Sequence, residues 1–320
     1  MEDRTDLQII GDETAGQWDG FVRILQPFRE QLWHYCRKIT GSPWDAEDLF
    51  QDTLLKAFAS LSALSHRQQP LMTKTFLFRV ATNHWIDQCR RMKVKLDDDM
   101  EQYRTSVGMT DTLEMNEALL LLVRHLTPKQ AIVFILMESF AFTAKETAEL
   151  LATTETAAHA ILYRARTNLA NLRGALEDEA GMRRNEGTGP AVVTAEMKRF
   201  LDAYNRKDYA YLAGLLIDDA TFSFVSMGST EYGKATITNK SLSPTHGTKL
   251  VKDLYAYMDV LWGEPAVIVL IRTAQGTALN NINTVEWEQG KIARWKDYSF
   301  CREFMRAAAD ELGLPLSRFT

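Results

Sequence analysis

Two segments in the first hundred residues decide the fold class. The first, D-A-E-D-L-F-Q-D-T-L-L-K-A, runs from Asp45 to Ala57, and the second, F-L-F-R-V-A-T-N-H-W-I-D-Q-C-R-R-M-K, runs from Phe76 to Lys93. Apolar residues at three- and four-residue steps in the first segment predict an amphipathic helix with an acidic face. The second segment predicts an aromatic helix that becomes basic at its end. This pairing indicates a protein that connects nucleic acid to a protein partner.

Polar side chains near the start of the first helix form a candidate docking face for a basic protein surface. They are Asp45, Glu47, Asp48, Gln51 and Asp52. Phe50 and Leu54 mark the apolar face, and the polar residues are predicted to fall largely on the other. The helix dipole also favours carboxylates near a helix N-terminus. The pattern alone therefore leaves two interpretations open, a solvated acidic face and a docking face.

The second helix carries a candidate nucleic-acid face. Of the six residues 90–95, four are basic, which is enough for several phosphate contacts. Neighbouring aromatic and amide side chains are suited to holding unstacked bases. The candidates are Asn83, Trp85, Arg90, Arg91 and Lys93. The other interpretation is that the apolar residues are core and the basic tail is a solvated helix end, and we assign Val80 and Ile86 to the core.

Length and charge limit the function classes. The chain has 320 residues, enough for two or three small domains, a net charge of −5 and a pI of about 5.8. A dedicated nucleic-acid binder is usually basic. Any DNA-binding role must therefore depend on local basic patches, or on a partner that supplies most of the affinity.

Cysteine usage and hydropathy predict neither a metal site nor a membrane segment. The three cysteines are dispersed without CxxC spacing, which argues against a zinc site and a disulfide framework. The polar start M-E-D-R-T-D does not resemble a signal peptide, and no apolar run approaches the roughly 18 residues that span a bilayer. We expect a cytoplasmic protein with no membrane association.

Helix signals divide the first 176 residues into two blocks. Periodicity predicts helices over 14–39, with a kink or break at Pro27, over 43–61 and over 73–92. The acidic segment 95–112 is predicted to be a linker. Thr127-Pro128-Lys129-Gln130 and Thr143-Ala144-Lys145-Glu146 are capping boxes that start helices.

The last two helices of the second block have helix-turn-helix spacing. A short helix from Thr143 ends near Leu151, and after a tight turn a longer helix covers 155–172. Its polar positions are the candidate base and phosphate contacts: Thr156, His159, Tyr163, Arg164 and Arg166. A three-helix bundle without DNA-binding activity can show the same pattern.

Beyond a Gly-rich linker the pattern changes to α+β. Two short helices, 194–206 and 208–217, precede strands predicted over 220–225, 249–262, 266–273, 278–288 and 291–300, and a helix over 301–312 follows. We expect a curved antiparallel sheet. The predicted domains are 10–95, 113–176 and 192–320, with linkers over 96–112 and 177–191.

The two helical blocks resemble an extracytoplasmic-function sigma factor of the sigma-70 family. The segments quoted above resemble its region 2, and L-T-P-K-Q-A-I-V-F-I-L-M-E-S-F-A-F-T-A-K-E-T-A-E-L-L-A-T-T-E-T-A-A-H-A-I-L-Y-R-A-R-T-N-L resembles its region 4. The resemblance implies a multidomain protein with two all-α sigma domains, a region 2 bundle and a region 4 helix-turn-helix.

The resemblance also implies partners and roles. The acidic residues of the first helix would face the clamp helices of the RNA polymerase β′ subunit, and region 4 would contact the β flap. The loop around 62–72 and the helix with Asn83, Trp85, Asp87, Arg90 and Arg91 would handle the melted −10 element. The helix 155–166 would enter the major groove at the −35 element. The expected protein is a monomer that has no cofactor and is not an enzyme.

The C-terminal part resembles SnoaL-like polyketide cyclases and the cone-shaped α+β group that includes ketosteroid isomerase. Such a cone encloses an apolar pocket, in which a desolvated Asp259 or Asp297 is the candidate general base, although the spacing identifies no paired acid or oxyanion donor. The candidate lining residues are Phe222, Phe224, Tyr255, Tyr257, Trp262, Asn281, Asn283, Trp287 and Trp295. The domain could regulate the sigma activity in cis, bind a small molecule, or restrain the sigma regions without a ligand. The competing interpretations of the whole chain are a helix-turn-helix regulator or ligand sensor, and a small-molecule enzyme.

Overall fold

The computed structural model describes residues 6–65, 74–98, 126–180, 194–243 and 253–317. These residues form two compact units, one containing the helices up to residue 180 and one containing the residues from 194 onwards. Among the described residues, no helix has the length and apolar character needed to cross a membrane.

Three long helices begin the N-terminal unit: α1 (Asp6–Thr40), α2 (Pro43–Ser65) and α3 (Lys74–Asp98). Helix α1 continues through Pro27 as one element, so the helix does not break there. A proline inside a helix removes one backbone hydrogen bond. Burial of apolar α1 side chains on both sides of Pro27, such as Phe21 and Leu32, offsets that loss.

The core of this bundle is apolar and drawn from all three helices. Fully buried members are Phe21, Leu25, Leu32, Tyr35, Ile39, Leu49, Phe50, Leu54, Leu77 and Phe78. In α2, the buried positions recur at steps of three and four residues, which is the periodicity that predicted the helix.

The other described residues of the N-terminal unit, 126–180, form short helices and one long one. They are α4 (Pro128–Phe134), a π-helical turn (Ile135–Ser139), α5 (Ala144–Leu150) and α6 (Glu155–Ala180). Both predicted capping boxes are confirmed. Thr127 and Thr143 each accept a hydrogen bond from the backbone three residues on, and the side chains of Gln130 and Glu146 accept one in return.

The C-terminal unit contains a six-stranded sheet. Its strands are β1 (Leu216–Phe224), β2 (Ser229–Tyr232), β3 (Leu254–Leu261), β4 (Glu264–Thr273), β5 (Gly276–Glu288) and β6 (Lys291–Asp297). The order is β2-β1-β6-β5-β4-β3. Strands β1 and β6 run parallel, so the prediction of a wholly antiparallel sheet was wrong. The alternation of apolar and polar residues predicts single strands but not which strands pair, so it could not show that β1 pairs with β6.

Helices complete the predicted α+β architecture: α7 (Ala195–Arg206), α8 (Tyr209–Gly214), α9 (Lys234–Asn239) and α10 (Arg302–Leu312). Strand β2 and helix α9 were not predicted. Gln289 and Gly290 both have positive φ, as required in the tight turn between β5 and β6. Aromatic side chains of α7, β1 and β6, among them Phe200, Phe222 and Trp295, pack together in the core.

Candidate functional site

Helix α2 presents acidic side chains from its first turns. Asp45 and Asp48 are exposed, and Asp52 is half-exposed. The expectation that Glu47 and Gln51 share this outer face was wrong, because both are buried, at 1% and 7% exposure. The acidic surface of α2 is therefore narrower than the sequence indicated.

The buried Glu47 carboxylate is held by one hydrogen bond from α1 and one from within α2. The indole Nε1 of Trp33 donates to Glu47 Oε2 at 2.7 Å, and Gln51 Nε2 donates to Glu47 Oε1 at 2.6 Å. These bonds explain how a carboxylate can lie inside the bundle, since a buried charge is costly unless it is hydrogen-bonded. Burial, and to a smaller extent the negative charge of Glu47, raises the pKa of the nearby Cys36 thiol. This cysteine therefore stays protonated.

A polar network joins the acidic helix to the candidate nucleic-acid helix. His84 Nε2 in α3 lies 2.8 Å from Asp52 Oδ2 in α2. Lys56 of α2 contacts the other ring nitrogen of His84. Side chains of α2 and α3 therefore contact each other beside the acidic surface.

Helix α3 exposes part of the predicted nucleic-acid face. Asn83, Arg90 and Arg91 are exposed. Trp85 is buried at 5% exposure, so its prediction as a DNA-contacting side chain was wrong in this structure. Its large apolar ring lies in the bundle interior, which lowers the free energy of the fold. Lys93 lies in α3, and its side chain is outside the described residues.

Helix α6 presents polar residues on its outer side. Thr156, His159, Tyr163 and Arg164 are exposed, whereas Ala158, Leu162 and Ala165 are buried. Arg166 is exposed but pairs with Glu138 of the π-helical turn. Four of the five predicted contacts thus share an accessible side, and the fifth is bound to a carboxylate.

Aromatic residues after the π-helical turn pack on the three-helix bundle within the N-terminal unit. Phe140 contacts Tyr35 and Phe78, with ring centroids 5.6 and 5.8 Å apart, and Phe142 also contacts Phe78 at 5.1 Å. Arg79 of α3 donates to the backbone oxygen of Glu149 at 3.0 Å. These contacts join residues more than sixty positions apart, and no local sequence signal indicates them.

The C-terminal unit contains a cavity that includes some of the predicted pocket residues. Phe222, Phe224, Asn281, Asn283, Trp295 and Asp297 line it. The other predicted lining residues lie outside the lining of this cavity. Tyr255 and Tyr257 lie on β3, Trp262 donates a hydrogen bond to Glu311, and Trp287 borders a separate apolar groove. Of the two candidate bases, Asp297 faces the cavity and Asp259 is exposed on β3.

Comparison with protein families matches both helical parts. Residues 24–94 match the model of sigma-70 region 2, and residues 116–169 match that of sigma-70 region 4. The first match contains α2 and most of α3, and the second contains the capping boxes and the exposed side of α6.

Curated relatives point to the same group. The chain is 26% identical over 200 residues to the ECF RNA polymerase sigma factor SigG of Mycobacterium tuberculosis (strain CDC 1551 / Oshkosh), covering 52% of this chain and 53% of SigG. It is 23% identical over 182 residues to SigM of strain ATCC 25618 / H37Rv, covering 57% and 91%. The matched part thus spans about half the length of SigG. A crystal structure of the M. tuberculosis factor SigJ aligns with a TM-score of 0.33 at 19% identity, covering 92% of this chain and 100% of that one.

The chain carries a segment similar to sigma-70 region 2 followed by a segment similar to sigma-70 region 4. The curated proteins that it resembles over both segments are extracytoplasmic-function (ECF) RNA polymerase sigma factors.

Proposed function

We propose that this protein is an alternative sigma factor that binds core RNA polymerase and directs promoter recognition and melting at −10 and −35 elements. One observation carries the proposal. Within the segment that matches sigma-70 region 2, exposed carboxylates of α2 lie beside a helix with exposed amide and guanidinium groups. Asp52 of the acidic surface contacts His84 of the helix that carries the second surface.

Polymerase binding is assigned to α2. Asp45, Asp48 and Asp52 supply negative charge for the β′ clamp helices, and complementary charge favours association and correct register. Glu47 and Gln51 contribute indirectly: Glu47 accepts a hydrogen bond from Trp33 of α1, and Gln51 donates a second one to the same carboxylate. Region 4 is assigned to the β flap.

Promoter binding is divided between two helices. Asn83, Arg90 and Arg91 of α3 are suited to the melted −10 strand, where amides and cations bind bases and phosphates. Thr156, His159, Tyr163 and Arg164 are assigned to the major groove at the −35 element, which admits an α-helix. Attachment to polymerase supplies much of the affinity, which explains how a chain with net charge −5 acts on DNA.

Promoter-dependent transcription with purified core polymerase tests this function. Asp48→Lys together with Asp52→Lys reverses the charge of the assigned surface and should abolish co-purification with core polymerase and transcription. Asp202→Lys on α7 is the matched control, because it reverses an exposed carboxylate in the other unit. Unchanged polymerase binding by the double variant contradicts the assignment.

The same binding assay separates the competing functions. A helix-turn-helix regulator binds duplex DNA without polymerase, and a small-molecule enzyme binds neither. The C-terminal cavity supports the second candidate, a ligand sensor whose C-terminal domain binds or converts a small molecule.

The C-terminal domain is proposed to regulate sigma activity in cis. The motivation is its connection to a chain that carries both sigma regions. Removing the residues after about 185 and measuring promoter-dependent transcription tests this part. Activity equal to that of the full chain rejects regulation in cis and leaves the sigma assignment intact.

A further inference from the structure

The C-terminal unit holds a mainly apolar cavity of about 320 Å³. Helices α7 and α8 and strands β1, β5 and β6 contribute to its walls. Its apolar lining includes Leu212, Phe222, Phe224, Leu242 and Trp295. The volume lies at the small end of the range of ligand pockets, roughly 300–1,000 Å³. It suits a compact molecule of one or two rings.

Strand register places polar side chains together in this apolar lining. Asp297 of β6 pairs with Phe224 of β1 on one side and with Asn283 of β5 on the other. Residues directly opposite on neighbouring strands share a face of the sheet. Asn281 lies two positions before Asn283, and all three polar residues line the cavity.

The carboxylate of Asp297 is positioned by its neighbours. Asp297 Oδ1 accepts from the backbone N and the Oγ of Ser299, at 2.9 and 2.5 Å. Asp297 Oδ2 accepts from Asn281 Nδ2 at 2.6 Å. An ionised carboxylate has about four acceptor positions, so these three bonds leave capacity for one more donor.

Asn283 supplies a complementary group beside this carboxylate. Its Oδ1 accepts from Trp295 Nε1 at 2.9 Å, which fixes the orientation of the amide. Within the described parts of the chain, Asn283 Nδ2 has no hydrogen-bond partner, although the residue is only 1% exposed. A buried donor without a partner costs about 1–3 kcal/mol. A ligand that accepts a hydrogen bond here therefore gains affinity.

We propose that the cavity binds a small neutral aromatic molecule with one hydroxyl group, which accepts from Asn283 Nδ2 and donates to Asp297 Oδ2. One hydroxyl meets both requirements because it is a donor and an acceptor at once. The rings of Phe222 and Trp295 provide aromatic contact for the rest of the molecule. The proposal stands whether or not the chain acts in transcription.

The proposed ligand is neutral because Asp297 supplies the negative charge of the cavity. Desolvation, the largest effect, raises the pKa of the Asp297 carboxyl, and the hydrogen bonds from Ser299 and Asn281 act in the opposite direction by stabilising the carboxylate. Burial, and after it the Asp297 charge, raises the pKa of the lining Tyr204 hydroxyl, which therefore stays protonated. A second anion beside Asp297 would add repulsion where solvent screening is weak.

Equilibrium dialysis of the full chain against 2-naphthol, 2-methoxynaphthalene and naphthalene tests the proposal. 2-Naphthol should bind with one-to-one stoichiometry and at least about tenfold more tightly than either comparator, which corresponds to about 1.4 kcal/mol. The methyl ether cannot donate to Asp297, and naphthalene makes neither hydrogen bond. Equal affinity for all three compounds, or no binding of 2-naphthol, overturns the proposal.

Variants locate the binding site. Asp297→Asn should weaken 2-naphthol binding about tenfold and leave naphthalene binding unchanged, because only the charged acceptor is lost. Ser241→Trp should abolish binding of all three compounds by filling the cavity, which Ser241 lines. Asp259→Asn is the matched control outside the cavity and should bind like the unaltered chain. Circular dichroism melting checks that each variant is folded. If Asp297→Asn and Ser241→Trp both bind 2-naphthol as the unaltered chain does, the cavity is not the binding site.

Discussion

His84 Nε2 lies 2.8 Å from Asp52 Oδ2, which connects the helix assigned to DNA with the helix assigned to polymerase. The Asp52 side chain is half-exposed, at 50%, so the contact is partly screened by solvent. Such contacts contribute less than about 1 kcal/mol to stability. Asp52 therefore contributes little to the stability of the fold, and its exposed carboxylate is accessible to a positively charged partner.

Asp52→Asn should separate these two roles. We expect less than about 1 kcal/mol of destabilisation and about a tenfold loss of affinity for core polymerase, because interface charge pairs are worth more than exposed intramolecular ones. Polymerase binding is measured by fluorescence anisotropy. His84→Gln is the control, since it alters the contact and keeps the Asp52 charge. A larger loss of polymerase affinity in His84→Gln would show that the contact, and not the charge, matters.

Removing the buried Glu47 carboxylate should loosen the packing of α1 on α2. Glu47→Ala leaves Trp33 Nε1 and Gln51 Nε2 without their acceptor, and we expect a loss of about 3 kcal/mol. Native-state hydrogen exchange over 21–57 measures this locally. Asp48→Ala, one residue along and exposed, should change the same exchange free energy by less than about 0.5 kcal/mol. Similar effects of the two substitutions contradict a special role for the buried carboxylate.

The capping box of α5 should depend on pH. Hydrogen bonds from the Thr143 backbone and side chain lower the pKa of Glu146 below its ordinary value of 4.5. Because the folded-state pKa is the lower one, the stabilisation is present above pH 4.5 and is lost as the pH falls below it. Thr143→Ala should cost about 1 kcal/mol at pH 7 and less in acid. Hydrogen exchange of the α5 amides at both pH values gives the comparison.

The second capping box provides the control for that titration. Thr127 pairs with the uncharged Gln130, so the cost of Thr127→Ala should not decline in acid through its capping partner. Equal acid dependence of the two alanine variants would mean that Glu146 is not the titrating group.

Arg164 and Arg166 should contribute differently to promoter binding. Arg164 is exposed on the outer side of α6, whereas Arg166 pairs with Glu138. Arg164→Ala should reduce the salt dependence of holoenzyme–promoter binding by about one unit of slope, as expected for one lost phosphate contact. Arg166→Ala should change the slope less. Affinities at several salt concentrations measure both, and the reverse order would assign the phosphate contact to Arg166.

Local signals in the sequence predicted local structure well. Thr127 and Thr143 start helices as expected, because a capping box involves residues only three positions apart. The burial of Glu47 was not predictable, since its partner Trp33 lies fourteen residues away in another helix. The burial of Trp85 was not predictable either, because an aromatic residue beside basic ones fits a base-stacking surface as well as a core.

In the C-terminal unit, too, the sequence did not show contacts between residues distant in the chain. Asn281, Asn283 and Asp297 were among the candidate pocket residues, and alternation along the strands was enough to place the two asparagines on one face. The sequence did not show that Asp297 lies opposite Asn283, since register depends on the bulge and turn between β5 and β6.

The parallel pairing of β1 with β6 has a consequence for synthesis on the ribosome. Until the last strand emerges, β1 has only β2 as a neighbour, and an isolated two-stranded hairpin is marginally stable. The N-terminal unit is a compact unit by itself, and domains generally fold as units from the N-terminus. A nascent chain that pauses before Lys291 therefore presents a completed helical unit followed by an unfinished C-terminal one.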